Sequence, residues 1–213
     1  MIVIGDGVAV RDLAPYVAEM RATKLFDRFE GRYLLNSRAF EILEGESPQH
    51  RVTVLARYAN RAAFEGFWNS EDYQQRVKPK RAHLPRMNVG LWRMREREVV
   101  PGAAAAYPCP PGESEALLLA HAPRVDTVRW AQYTAAIQAS GIIPRHGGNP
   151  IVFGAPLAVV EGAFPADSVT IVLRFPCAQA ARAFWYSDDY AEIRKLRDGA
   201  GDLVAGIWKL ATS

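Results

Sequence analysis

Side chains from Val52 to Tyr58 alternate between two faces, with Val52, Val54 and Ala56 on one and Thr53, Leu55 and Arg57 on the other. Period two with β-branched residues predicts a strand. Ahead of it, Ile2–Ile4 forms a short apolar strand, and Tyr16, Val17, Met20 and Leu25 give a helical stripe. Asp12 and Pro15 supply that helix with a cap and a first turn, and Gly31 supplies its stop. Arg32–Leu35 and Phe40–Leu43 predict a hairpin around Asn36-Ser37. Beyond the central strand, Asn60–Trp68 predicts a helix with Ala63, Phe64 and Phe67 on its apolar side. Ser70 caps a further short helix that Glu71 and Asp72 favour electrostatically, and Val89–Trp92 is a closing strand.

The whole pattern then returns 117 positions later. Gly-Phe-Trp-Asn-Ser-Glu-Asp-Tyr at 66–73 reappears as Ala-Phe-Trp-Tyr-Ser-Asp-Asp-Tyr at 183–190, Glu44-Gly45 as Glu161-Gly162, and Arg57 as Arg174. Residues 16–80 align with 133–197 without a gap, at 18 identities in 65 positions, and one deletion then brings Gly90-x-Trp92 onto Gly206-x-Trp208. The second copy predicts strands at 117–122, 150–153, 157–160, 169–175 and 204–208, and helices at 127–140 and 179–185. A repeat this long is a domain rather than a unit of a solenoid. The expected division is a first repeat over 1–98, a Pro/Ala/Gly-rich linker over 99–115 and a second repeat over 116–213. Two β-α-β-β-α-β units imply an α+β protein with two four-stranded antiparallel sheets, each covered by helices on one face. The simplest cover for the other two faces is each other, which makes an intramolecular α/β barrel.

Composition narrows the function. The chain has 213 residues, 49% of them hydrophobic, and a formal charge of +3. Residues 1–98 hold 17 Lys/Arg against 13 Asp/Glu, and the rest 9 against 10. The densest basic stretch runs Lys78-Pro-Lys80-Arg81-Ala-His83 to Arg86. It reads as a phosphate or nucleic-acid patch or as a solvated helix end, and interruption by Glu96 and Glu98 favours the latter. Cys109 and Cys177 do not correspond across the repeat and form no metal or disulfide framework that spacing supports. With no leader pattern and no apolar run of about 18 residues, the expectation is a protein of the reducing cytoplasm without nucleic-acid or membrane partners.

Phe29-Glu-Gly-Arg-Tyr-Leu34, Glu41-Ile-Leu-Glu-Gly45, Arg57-Tyr58 and Phe67-Trp-Asn-Ser-Glu-Asp-Tyr73 resemble domain of unknown function 1330, a family in the dimeric α/β-barrel (ferredoxin-like) superfamily. The second copy matches through Gly147-Gly148, Val159-Val-Glu-Gly162, Arg174-Phe-Pro176 and Phe184-Trp-Tyr-Ser-Asp-Asp-Tyr190. The resemblance implies that this chain is a fused version of a pair of single domains, present as a monomeric pseudo-dimer or as a further homodimer. Its wider relatives include cofactor-free oxygenases, lactone isomerases, haem-handling enzymes and sensing domains, so function has to be read from the site.

Several repeated residues could form that site. Arg57 and Arg174 would hold a carboxylate, enolate or phenolate, or else pair with Glu44 and Glu161 or face water at a strand end. Glu44 and Glu161 would act as general bases if burial raised their pKa, or accept backbone hydrogen bonds beside their glycines. Trp68, Tyr73, Trp185, Tyr190, Tyr16 and Tyr133 would wall a substrate pocket or serve as core. None of the four histidines recurs; His121, set opposite Ile4 by the repeat, is a base, a haem ligand or a core residue. No metal-ligand cluster, phosphate loop or nucleophile elbow is present. The expected function is a cofactor-independent enzyme working by proton transfer or oxygenation on a small carbonyl-containing or aromatic molecule, in secondary metabolism or a related biosynthesis. The alternative is a ligand-binding or sensing protein without turnover. Arg32 and Glu41 become Asn149 and Ala158 in the second copy, which suggests that only one pocket works.

Overall fold

A computed structural model of the protein describes residues 1–6, 13–46, 52–84, 87–95 and 107–210. The expected cap Asp12, His50 and the linker residues 101–106 lie outside the described residues. The chain forms two compact units, Met1–Arg38 with Pro48–Arg93 and Leu157–Ala163, and Ala39–Ser47 with Met94–Pro156 and Phe164–Ser213. Each unit holds most of one repeat and one strand of the other.

The first repeat supplies β1 (Ile2–Asp6), α1 (Ala14–Thr23), α2 (Leu25–Arg28), β2 (Arg32–Ser37), β3 (Glu41–Glu44), β4 (Thr53–Arg57), α3 (Arg61–Asn69), a π-helical segment (Asp72–Val77), a 3-10 turn (Lys78–Arg81) and β5 (Asn88–Trp92). The second supplies β6 (Ala116–Ala122), α4 (Thr127–Ser140), α5 (Ile142–Arg145), β7 (Asn149–Gly154), β8 (Ala158–Glu161), β9 (Val169–Phe175), α6 (Ala178–Trp185), α7 (Asp188–Arg194), a 3-10 turn (Lys195–Arg197) and β10 (Val204–Lys209). The sheets run β2-β4-β1-β5-β8 and β3-β10-β6-β9-β7, all pairs antiparallel. The first four strands of one sheet and the last four of the other have the ferredoxin-like order. The fold is α+β, as the repeat implies.

Three expectations change. The hairpin of 32–35 with 40–43 does not form: β2 pairs with β4, whereas β3 leaves for β10 of the second repeat, and β8 likewise joins β5 of the first. Each sheet therefore has five strands rather than four. The repeated Glu-Gly explains the exchange. Gly45 and Gly162 both sit at φ +72°, where an added Cβ would lie 2.4 Å from the Leu203 carbonyl and 2.6 Å from that of Met87. Only glycine lets the visiting strand end so close to its host's backbone. The preceding glutamate then ion-pairs with an arginine of the host.

The second change concerns Gly31. α1 stops at Lys24 and the chain turns again at Glu30, both at positive φ, whereas the second repeat has Gly141 and Gly147 at those places. Gly31 instead permits contact, since a Cβ there would meet the Phe26 and Tyr58 rings at 2.6 and 2.9 Å. Other local signals agree with the structure. Asn60 Oδ1 accepts from the Ala63 N–H at 2.9 Å, and Ser70 and Ser187 accept from the N–H of Tyr73 and Tyr190, each at 3.2 Å. The motif aspartates pair across each repeat, Asp72 with Arg28 and Asp189 with Arg145.

Cys109 and Cys177, expected to be unpaired, are joined by a disulfide with Cα atoms 6.0 Å apart. It ties the segment before β6 to the start of α6. Sequence correspondence could not reveal it, because the bond joins the linker to the second repeat and has no counterpart in the first.

Candidate active site

Each helical layer packs on one sheet face, and the first repeat leaves a cavity of about 70 Å³ between them. β4 presents Val54 and Ala56 to it, β1 presents Val3, and α3 supplies Phe64, Phe67 and Trp68. The polar lining is Tyr16, Tyr33, Tyr58, Tyr73, Asn36 and Arg81. Tyr33 and Asn36 are exposed, so the cavity reaches solvent along β2.

The four tyrosines differ in surroundings. Tyr33 apart, whose side chain is exposed at the cavity mouth, burial pushes the hydroxyls of Tyr16, Tyr58 and Tyr73 above the ordinary phenol range. All four are protonated near neutral pH and act as donors. Arg81 donates to the Tyr73 hydroxyl at 3.2 Å, and Tyr73 in turn interacts with Tyr16. A hydroxyl that accepts from a guanidinium becomes a stronger donor itself. The result is a Tyr73 hydroxyl polarised by Arg81 at the wall of an apolar cavity.

Arg81 is buried and held by the visiting strand, donating to Glu161 at 2.6 and 2.7 Å. Burial acts to raise the Glu161 carboxyl, but Arg81 outweighs it, and a backbone hydrogen bond from Met87 helps to leave the group below its ordinary range. The same pairing holds Arg197 to Glu44 at 2.7 and 2.6 Å in the other unit. The repeat thus carries two crossed pairs, in which each repeat's glutamate fixes the other repeat's arginine.

Sequence reading missed these arginines for a definable reason. Running 16–80 against 133–197 without a gap places Lys80 opposite Arg197. The structure puts the extra residue of the first repeat between Tyr73 and Arg81, where the π-helical segment absorbs it, and Arg81 then meets Arg197. A one-residue insertion is the usual source of a widened turn, and such turns recur at functional sites.

The second repeat fills the equivalent space. Leu13, Asn36, Val54 and Ala56 correspond to Trp130, Phe153, Ile171 and Leu173, and only about 20 Å³ remains. Tyr33 and Tyr58 become Pro150 and Phe175, so two hydroxyls are lost as well. Tyr133 and Tyr190 remain, hydrogen-bonded to each other at 2.9 Å inside an apolar cluster.

The predicted site residues separate accordingly. Tyr16, Trp68 and Tyr73 line the larger cavity, and Tyr133, Trp185 and Tyr190 line its filled counterpart. Arg57 lies one position from Ala56 and so on the opposite sheet face, exposed at the end of β4. Arg174 is also exposed and pairs with Glu115. Neither holds Glu44 or Glu161, which belong to Arg197 and Arg81. His121 sits on β6 with Nδ1 3.0 Å from the Thr170 hydroxyl, and strand register sets it opposite Asp6, not Ile4. The Glu41/Ala158 difference has a structural origin. Glu41 pairs with Arg182, whose counterpart is Glu65, and a glutamate at 158 would have met a like charge.

Among the described residues no group of three or more His, Cys, Asp or Glu side chains could hold a metal, and no helix is long and apolar enough to cross a membrane. No curated protein matches the chain in sequence. An anthrone oxidase-like protein superposes with a TM-score of 0.58 at 10% identity, over 99% of this chain and 91% of its own. A proposed monooxygenase from Fusobacterium nucleatum gives 0.55 at 8% identity, over 99% and 92%. Both likenesses are of fold. The family model for Domain of unknown function (DUF1330) matches residues 8–91 and again 115–207, and the chain belongs to that family, with its domain present twice.

Proposed function

We propose that the protein is a cofactor-independent enzyme that oxygenates a small phenolic or enolisable molecule in the cavity of the first repeat. The observation that carries this reading is the asymmetry of the two cavities. One is open, with four tyrosine hydroxyls and a buried arginine, and the other is filled by larger side chains at matching positions.

Among the described residues the lining holds no carboxylate or imidazole, and in this reading the substrate loses its proton to water. The protein's part is to stabilise the anion. Tyr73, polarised by Arg81, donates to the substrate oxygen as charge develops on it, which lowers the barrier electrostatically. The carbanion form of the anion transfers its electron pair to dioxygen, a C–O bond forms, and protonation gives a hydroperoxide. Loss of water leaves a carbonyl, so that one methylene group and one dioxygen become one carbonyl group and one water. The likeness in fold to an anthrone oxidase-like protein and a proposed monooxygenase is in keeping with such chemistry. A lining without carboxylate or imidazole among the described residues also favours a second reading, a binding protein without turnover.

Hydroxylated aromatic ketones and phenols tested for thermal stabilisation and for oxygen uptake, with wild type and Ala56→Leu, separate the readings. Uptake that Ala56→Leu abolishes supports the enzyme. Stabilisation without uptake supports the binding protein, and neither effect removes both.

A further inference from the structure

Strand register lays one row of residues across the first sheet from edge to edge, with Asn36 on β2, Val54 on β4, Gly5 on β1, Val89 on β5 and Glu161 on β8. Crossing these five strands covers about 19 Å. At the β8 end stand Glu161, the Arg81 fork and the Tyr73 hydroxyl. At the β2 end stands the Asn36 amide, which lines the same cavity at its mouth beside Tyr33. Between the two ends Val3, Val54, Ala56 and Val89 make an apolar floor. Among the described residues nothing hydrogen-bonds to the Asn36 side chain. The second repeat has Phe153 at the matching place, so only the first offers a polar group there.

Size decides how a ligand meets both ends. A dry cavity of about 150 Å³ takes one benzene, whereas about 70 Å³ is enclosed here. A ring whose oxygen reaches Tyr73 therefore leaves its outer part at the mouth, beside Tyr33 and Asn36. We infer that Asn36 is a specificity residue, selecting phenolic or enolic ligands that carry a second oxygen, hydroxyl or carbonyl, on a short chain directed at the mouth. The inference rests on the cavity being the ligand site. An amide offers both donor and acceptor, so it meets either oxygen function. A chain that ends in a methyl group gains no hydrogen bond there and leaves the amide to water.

The test compares 4-(2-hydroxyethyl)phenol with 4-propylphenol, which differ only in a terminal hydroxyl against a methyl group. Titration calorimetry is run on wild type, Asn36→Leu, Asn36→Asp and Ala56→Leu. The affinity ratio of the hydroxyethyl to the propyl ligand is expected to fall about tenfold in Asn36→Leu, which removes a hydrogen bond and adds an apolar contact. Asn36→Asp has the same shape and still accepts, so it should keep the wild-type ratio. A ratio unchanged in Asn36→Leu overturns the inference and leaves the cavity reading intact, provided that Ala56→Leu abolishes binding of both ligands. A ratio that falls as far in Asn36→Asp as in Asn36→Leu overturns it in the same way. Failure of both ligands to bind wild type, or binding that survives Ala56→Leu, overturns the cavity reading and the inference with it.

Discussion

Arg81 and Glu161, 80 positions apart and on different repeats, meet through two hydrogen bonds of 2.6 and 2.7 Å, with side chains only 6% and 15% exposed. Removing one partner leaves a buried charge without its counter-ion. Glu161→Gln is therefore expected to lower stability by roughly 3–5 kcal/mol, and Glu44→Gln by a similar amount through Arg197. Urea denaturation monitored by tryptophan fluorescence measures both. The double variant Arg81→Met/Glu161→Leu should lose less than Glu161→Gln alone, because no uncompensated charge remains.

Acid should reveal the same pair. The Glu161 carboxyl titrates below its ordinary value of 4.5 in the folded protein, so the unfolded chain binds its proton first as pH falls. The stabilisation is complete above 4.5 and declines as pH drops through the lower folded value. Urea midpoints measured downward from about pH 6 should fall below about pH 4.5, and less steeply in Glu161→Gln.

The cavities make opposite predictions for opposite substitutions. Ala56→Leu installs the residue that the second repeat has at Leu173, and should abolish ligand binding with little loss of stability. Leu173→Ala empties a packed site and should cost about 2–5 kcal/mol. Thermal unfolding with and without ligand tests the two together.

Cys177 is fully buried and closes a loop of 68 residues with Cys109. Cys177→Ser, or reduction, is expected to lower stability by about 2–4 kcal/mol. A thiol titration of the unfolded protein before reduction should find no free thiol, and melting with and without reductant reads the stabilisation. Disulfides persist in oxidising surroundings, so the same titration on protein from a reducing host bears on the compartment in which the chain works.

The architecture was legible where the signal is local or duplicated. Strand alternation at Val52–Tyr58, the Asn60, Ser70 and Ser187 caps and the 117-residue offset each act through near neighbours or by direct comparison. The exchange of β3 and β8 was not legible. An extended segment such as Glu41–Glu44 carries no mark of which sheet edge it joins, and its glycine needs a partner from the other repeat to make sense. Of the site, the aromatic walls Tyr16, Trp68 and Tyr73 were visible as repeated residues. Arg81 was hidden by a one-residue register choice. Arg57 drew attention because it recurs, yet alternation places it on the sheet face away from Ala56 and the cavity. The contrast between Ala56 and Leu173 was in the sequence throughout, but volume at one position means little until the opposing helix is known.

All of this turns on one repeat of the two keeping a binding cavity, and methyl-resolved NMR during titration with phenol observes that cavity at its own side chains. Shifts are expected at Val3, Val54 and Val89, with saturation at one phenol per chain and loss of these shifts in Ala56→Leu. Shifts centred on Ile171 and Leu173, or shifts at Val54 that persist in Ala56→Leu, would contradict it.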